Sequence, residues 1–254
     1  MPSASTSATR IAANLTLGAA VAIAVAGAAQ AANCPVTHDQ LTQALKASVK
    51  PSGGPSNGGL DNNEWAAVVT RDGLICSVTF SGQHAGDQWP GSRAIAAEKA
   101  ATANGFSLDQ FALSTANLYA GAQPGGPLYS IIGTNPPNTA ALYGGDPGNF
   151  GSSSDPLDGK ALGGGVVFGG GLGLYDGKAI IGGIGISGDT SCADHNVAWR
   201  VRHALGLDKM PGGGPNTDQI IYDIGPNGKS SSGFGHPKCP GTEDEVAKQI
   251  GAGK

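Results

Sequence analysis

Between Gly163 and Leu207 the chain reads GGGVVFGGGLGLYDGKAIIGGIGISGDTSCADHNVAWRVRHALGL, where strand, turn and helix signals stand back to back. Val166 to Tyr175 and Lys178 to Ser187 are runs of β-branched, aromatic and glycine residues. Asp176-Gly177 between them is a dipeptide that two-residue type I′ turns favour, so a β-hairpin is predicted. A turn that tight sets Gly171 opposite Gly182 and Gly170 opposite Gly183, leaving two cross-strand pairs without side chains. The neighbours on both faces are apolar (Leu172 with Ile181, Val167 with Ile186), so the sheet is buried and something approaches it at backbone distance. A packed helix would do so, and so would a flat bound ligand.

The helix that follows has a clear start, because Thr190 or Ser191 can cap it and Ser191 with Asp194 has capping-box spacing. Ala193, Val197, Val201, Ala204 and Leu205 form one apolar stripe, and Gly206 stands where a helix ends. Trp199 lies on the opposite side, with His195 and His203 one turn before and after it and Arg202 beside them. That face either docks on something or is solvated.

Residues 1–31 have the pattern of an export signal: Arg10 is their only charge, Ile11 to Ala28 is an alanine-rich apolar run, and Ala29-Gln30-Ala31 matches an A-x-A cleavage site. A membrane span needs a longer and more apolar run, so the expectation is a periplasmic or secreted protein beginning near Ala32, with no stable membrane insertion. The remainder, 32–254, suits a single domain with a substantial core. Its net charge, −4 for the whole chain and one unit lower without Arg10, comes with no basic cluster, which argues against nucleic acid as a partner.

All four cysteines, Cys34, Cys76, Cys192 and Cys239, follow the signal, and an even number in an oxidising compartment implies two disulfides. Cys34 precedes the first helix and Cys76 lies in an early strand, whereas Cys192 opens the late helix and Cys239 belongs to the tail after it. The predicted pairs are therefore Cys34–Cys76 and Cys192–Cys239.

Elsewhere, Thr37 to Val49 is predicted helical with Thr37 as cap, and Glu64 to Thr70 and Leu74 to Phe80 form a second hairpin around Arg71-Asp72-Gly73. In that hairpin Leu74, Cys76, Val78 and Phe80 alternate onto one face. Gly91 to Ala103 is an alanine-rich helix able to lie very close to a sheet, and Asp109 to Tyr119 is a further helix. Residues 125–164 are mostly Gly, Pro, Asn and Ser, too long for an idle connection, and point to a functional or interface loop. The extension 208–254 contains a short strand candidate, Gln219 to Ile224, and a polar helix near Glu243 to Ile250.

Gly183-Ile184-Gly185-Ile186-Ser187-Gly188 is a literal G-x-G-x-x-G with Asp208 twenty residues on, but its strand belongs to an antiparallel hairpin and no strand precedes Asp208. A dinucleotide site is excluded by that context. G-x-S-x-G, H-E-x-x-H, Walker and paired-cysteine zinc patterns do not occur, and without C-x-x-C-H there is no covalently attached c-type haem. Five histidines remain as natural ligands for a metal or haem: His38, His84, His195, His203 and His236.

Lys99-Ala100-Ala101-Thr102-Ala103 after a strand hairpin, followed later by the Gly163 to Gly165 strand, Gly183 to Gly188 and an acidic helix start at Asp194, resembles the GlcG/HbpS-like haem-binding family, which includes the C-terminal domain of PduO-type proteins. The likeness covers roughly Leu41 to Leu205. It implies an α/β (α+β) fold, a single α/β/α domain with a largely antiparallel sheet of about five strands flanked by helices. It also implies self-association into homo-oligomers and binding of haem, in sensing or haem handling. A secreted enzyme acting on haem or a small organic acid, and a structural oligomer without cofactor, are the alternatives.

A haem site needs an apolar slot, an iron ligand, and cationic or hydroxyl groups at its rim. On this reading His38, in the first turn of the opening helix, leads as iron ligand, and His195 is second. Trp199 would stack on the porphyrin edge and Arg202 would meet a propionate. Lys99 and Thr102, inside the family's motif, are expected in the pocket wall.

Overall fold

The computed structural model describes residues 1, 34–210 and 218–254, so the predicted export signal lies outside the described residues. Helix α1 (His38–Ser48) starts at Thr37, whose hydroxyl accepts from the Gln40 amide while the Gln40 side chain caps the Thr37 amide. Strands β1 (Trp65–Thr70) and β2 (Ile75–Phe80) form the first hairpin. Helix α2 (Ser92–Gly105) follows, then strands β3 (Gly171–Asp176) and β4 (Ala179–Ser187), helix α3 (Ser191–Ala204) and, in the tail, helix α4 (Glu243–Gln249). The four strands run in the order β2-β1-β4-β3, all antiparallel, one fewer than the resemblance implies. Both neighbours of β4 are antiparallel, which is incompatible with a dinucleotide-binding crossover.

The strand period of two divides the core. Ala66, Val68, Leu172, Leu174, Ile184 and Ile186 pack against Leu41 and Leu45 of α1 and Val197, Ala198 and Val201 of α3. On the other face Trp65, Ala67, Val69, Ile75 and Val78 meet Ala96, Ala97 and Ala100 of α2, with Leu142, Leu157 and Leu162 from the long loop. The result is an α/β/α arrangement in which α2 is roofed by residues 125–164. Arg93 of α2 anchors that roof through a buried ion pair with Asp155 and a hydrogen bond to the Leu142 carbonyl, 3.0 Å.

The hairpin register differs from expectation. The turn is Gly177-Lys178, with Asp176 paired to Ala179, and the positive φ of Gly177 (64°) at its first central position is that of a type II′ turn. An irregularity at Leu174/Tyr175 shifts the pairs further, to Gly173 with Gly183 and Gly171 with Gly185. Both glycine pairs consequently lie on one face, and what approaches them is α2. A Cβ on Gly185 would overlap the Ala96 carbonyl oxygen and lie 2.5 Å from the Ala100 nitrogen, and one on Gly171 would lie 2.6 Å from the Lys99 oxygen.

Other expectations are corrected locally. Val166 to Gly170 is not strand, because Gly170 takes φ 115° and turns the chain before pairing begins. Residues 109–119 give a 3-10 turn at Thr115–Leu118 rather than one helix, since Leu108 and Phe111 bridge to each other first. The β1–β2 irregularity at Val68/Val69 breaks the alternation in β2: Ile75, Val78 and Phe80 pack toward α2, while Cys76 turns to the α1 side. Gln219 to Ile224 forms isolated bridges, not a strand. Cys34–Cys76 and Cys192–Cys239 are bonded as predicted, with Cα separations of 5.7 and 6.1 Å. Among the described residues no helix is long and apolar enough to cross a membrane.

Candidate functional site

Three neighbourhoods hold the side chains with chemical potential. The first is the junction of α2, β4 and α3. Lys99 is fully buried, its ammonium donating to Asp194 Oδ2 at 2.6 Å and to the Ile186 carbonyl at 2.9 Å, with the Phe168 ring centroid 5.0 Å away. The other oxygen of Asp194 accepts from the Gly188 and Asp189 amides at 3.2 and 2.9 Å, which fixes the β4–α3 corner. Glu64, ahead of β1, is buried beside this pair, and its Oε2 has no hydrogen-bond partner. Burial, with Asp194 and Asp189 nearby, pushes the Glu64 carboxyl well above the usual range. Burial also raises Asp194 to about 6, outweighing the ammonium that favours its ionised form. Burial thus disfavours a second negative charge beside the Lys99–Asp194 pair.

The second neighbourhood is the face of α3 turned away from the sheet. His195 and Arg202, expected on a solvated or docking face, are fully buried, and what docks there is the chain's own tail. Ile220, Ala247 and Ala252 cover the face, joined by Cys192 and partly buried Trp199. The Arg202 guanidinium grips Asp218 through two hydrogen bonds of 2.5 and 3.0 Å and the Gly173 carbonyl at 3.0 Å, so it is not at a surface rim. It also lies 4.7 Å over the Trp199 ring. Neither ring nitrogen of His195 makes a hydrogen bond of ordinary geometry. Burial above all, then Arg202 and His236, lowers His195 to about 3, so it is a neutral imidazole. Its ring is 6.2 Å from that of Trp199, tilted by 30°. His236, from the tail, is likewise lowered by burial, to about 4; its Nδ1 donates to the Pro237 carbonyl at 2.7 Å and its ring meets Tyr119 at 5.3 Å. His203 is exposed and bonded to Asp208 at 2.6 Å.

The third is His38. Its Nε2 lies 2.9 Å from the Gly151 carbonyl, an obligate acceptor, so Nε2 carries a proton. The side chain is 25% exposed, and the nearest charged oxygen, on Asp39, stands 3.7 Å from Nδ1. An imidazole oriented by a carbonyl on one nitrogen and partly exposed at the other shares the outer-shell arrangement of metal-ligating histidines. His38 thus fits an iron ligand that is reachable, whereas His195 fits one that is sealed. Two open clefts flank the β1–β2 turn, and neither reaches these histidines. One, of about 330 Å³, is lined by Thr102, Arg71, Asn104, Phe106 and Leu162; the other, of about 450 Å³, by Thr70, Arg71, Ile180 and Ile181. Thr102 accepts there from the Val166 amide at 3.0 Å.

The structure therefore brings His195, Trp199 and Arg202 together on the outer face of α3, sets Lys99 at the α2–β4–α3 junction, and leaves His38 and Thr102 elsewhere. Sequence reasoning missed Glu64 and Asp218, and named His236 only as one of five histidines. Nothing local marks them: a glutamate before a strand and an aspartate in a glycine-proline stretch are ordinarily solvated.

The sequence matches the family described as "Haem degrading protein HbpS-like" over residues 61–202, from just ahead of β1 to the last turn of α3. Among solved structures it is similar to the Klebsiella pneumoniae protein ORFY, at 18% identity and a TM-score of 0.43, over 79% of this chain and 98% of that one. A complex of PduOC with haem is similar at 23% identity and a TM-score of 0.46, over 68% and 94% of the two chains. A double mutant of HbpS from Streptomyces reticuli is similar at 18% identity and a TM-score of 0.39, over 81% and 99%. No curated protein matches the sequence.

Proposed function

We propose, from the premise that this chain belongs to the HbpS-like family of haem degrading proteins, that it is an exported haem-binding protein that holds iron through an imidazole. The family match across both hairpins, α2 and most of α3 carries the reading. His38 is the proposed ligand, supported by its carbonyl-bound Nε2 and partly exposed Nδ1. Bound haem would supply redox chemistry at iron; the chain's part is to present that nitrogen and orient its ring. Export is supported by the signal pattern of residues 1–31 and by two disulfides, which persist in oxidising compartments. Self-association is supported by exposed Tyr129, Ile132 and Tyr143 on the long loop.

Titration of the purified protein with haemin tests the reading. A Soret band distinct from free haemin that saturates at a fixed stoichiometry is expected, and titration to excess without one would refute it. A second reading, turnover, is favoured by the family's description. Under it, loaded protein given reductant or peroxide loses the Soret band faster than free haemin does.

A further inference from the structure

The family match ends at residue 202, and the segment that buries His195 begins at Asp218. The cover over the outer face of α3 thus lies beyond the residues that the family match covers. Its seam is unusual in its polar groups. Among the described residues, His195 Nδ1 and Nε2, Asn196 Oδ1 and Arg202 Nε on α3, and Tyr222 OH and Glu243 Oε2 on the tail, are buried without a hydrogen bond. Such atoms are rare in a folded interior because each carries an uncompensated desolvation penalty. Here they gather along one seam.

Against that penalty stand the Arg202–Asp218 pair, the Cys192–Cys239 disulfide, the apolar contacts of Ile220, Ala247 and Ala252, and hydrogen bonds from Asn196 Nδ2 to the Glu243 carbonyl, from Thr190 to Glu243 Oε1 and from Asn117 Nδ2 to the Gln219 carbonyl. A unit held at discrete points across a seam that also buries several unsatisfied polar atoms opens locally before the domain unfolds. When it opens, it uncovers an imidazole whose ring nitrogens make no hydrogen bond of ordinary geometry and whose one backbone contact, Ala252, belongs to the strap itself, with an aromatic ring 6.2 Å away and a guanidinium released from its carboxylate. Those are the kinds of group that ligate iron, stack on a porphyrin and pair with a propionate.

We infer that residues 218–254 form a strap that withholds a second haem-ligating site, built on His195, Trp199 and Arg202, until the strap lifts. The haem part of this inference rests on the function proposed above; the strap does not. Two readouts on the full chain separate them. In Asp218→Asn, deuterium exchange at the His195 C2 position should accelerate at least about tenfold over wild type, because the accessible rate scales with the open fraction. Amide protection of β4 should stay unchanged. If that variant does not fold, Ile220→Ala, which keeps the ion pair, should show the same effect.

Haemin is then titrated into His38→Ala and into His38→Ala/Asp218→Asn, where His195 is the remaining candidate ligand. A Soret component at least about tenfold tighter in the second protein, lost on adding His195→Gln, is expected. Unchanged C2 exchange overturns the strap. Accelerated exchange with no His195-dependent band, in a protein whose wild type binds haem, overturns the second site. Absence of a band in every variant and in wild type overturns the haem reading, and the exchange result then decides the strap alone.

Discussion

Helices α2 and α3 are each fourteen residues long, and both lie against the same glycine-bearing hairpin, yet they are attached by opposite means. Helix α2 meets β3 and β4 backbone to backbone, its alanines seated where Gly171, Gly183 and Gly185 leave no side chain. Helix α3 meets the sheet through ordinary side chains, Val197, Ala198 and Val201, and carries its polar groups on the far side under the tail. One attachment depends on the absence of atoms and the other on the pairing of charges. The first tolerates no addition, and the second tolerates no deletion.

The largest effect should follow deletion on the α3 side. Asp218→Ala leaves the Arg202 guanidinium buried without its carboxylate, and urea unfolding should show a loss of about 3–5 kcal/mol, the range for breaking a buried pair from one side. Exchanging both partners for apolar residues should recover most of it. Replacing Cys192 and Cys239 by serine removes the second pin; its separation of 47 residues corresponds to at most about 4 kcal/mol of loop entropy. If the seam is as poorly satisfied as its unpaired atoms indicate, the C2 proton of His195 becomes exchangeable in that variant well below the unfolding midpoint.

On the α2 side the matching perturbation is addition. Gly185→Ala drives a Cβ into the Ala96 carbonyl and Ala100 nitrogen, backbone atoms that cannot rotate away, and should cost about 3 kcal/mol by thermal unfolding. Gly105→Ala, at the end of the same helix with nothing near its Cβ position, should stay within about 0.5 kcal/mol of wild type. Equal effects at the two positions would contradict the close-packing account.

Acid titration sharpens the contrast more gently. His195 and His236 have folded pKa values near 3 and 4, below their ordinary 6.5, so the unfolded chain binds more protons and their contribution falls as pH drops below about 6.5. Asp194, raised to about 6, and Glu64, raised well above its ordinary value, act in the opposite sense: their contribution is full below the unfolded carboxylate range and is lost as pH rises. The two pairs oppose each other between about pH 4.5 and 6, and stability there should be nearly flat. In Glu64→Gln it should decline as pH falls across that window, and in a variant with both histidines changed to glutamine it should rise. Midpoint measurements at three pH values decide the signs.

The α2 attachment was legible in the sequence, because glycines alternating through a strand and alanines crowding a helix both report close approach. The disulfide pairing was legible as well, each cysteine lying in sequence near an element it joins. The register was not: a one-residue irregularity at Leu174/Tyr175 and the slip of the turn to Gly177-Lys178 moved both glycine pairs onto one face, and such slips leave the residue pattern unchanged. Nor was the burial of α3's far side. His195, Trp199 and Arg202 have the spacing of a solvated stripe, and the residue that neutralises Arg202 comes sixteen positions later in a segment without periodicity. Of the candidate site, His38 was legible as a helix-start histidine, but the Gly151 carbonyl that orients its ring lies 113 residues away.

The most direct measurement is haemin titration of His38→Ala and His195→Ala side by side with the wild type, under oxidising conditions that keep both disulfides. The account predicts that wild type and His195→Ala give the same saturable Soret band and affinity, because His195 stays sealed beneath the tail, while His38→Ala loses the band or weakens it by at least about tenfold. An unchanged His38→Ala together with a loss in His195→Ala would contradict it, placing the ligand on the face that the structure shows as closed.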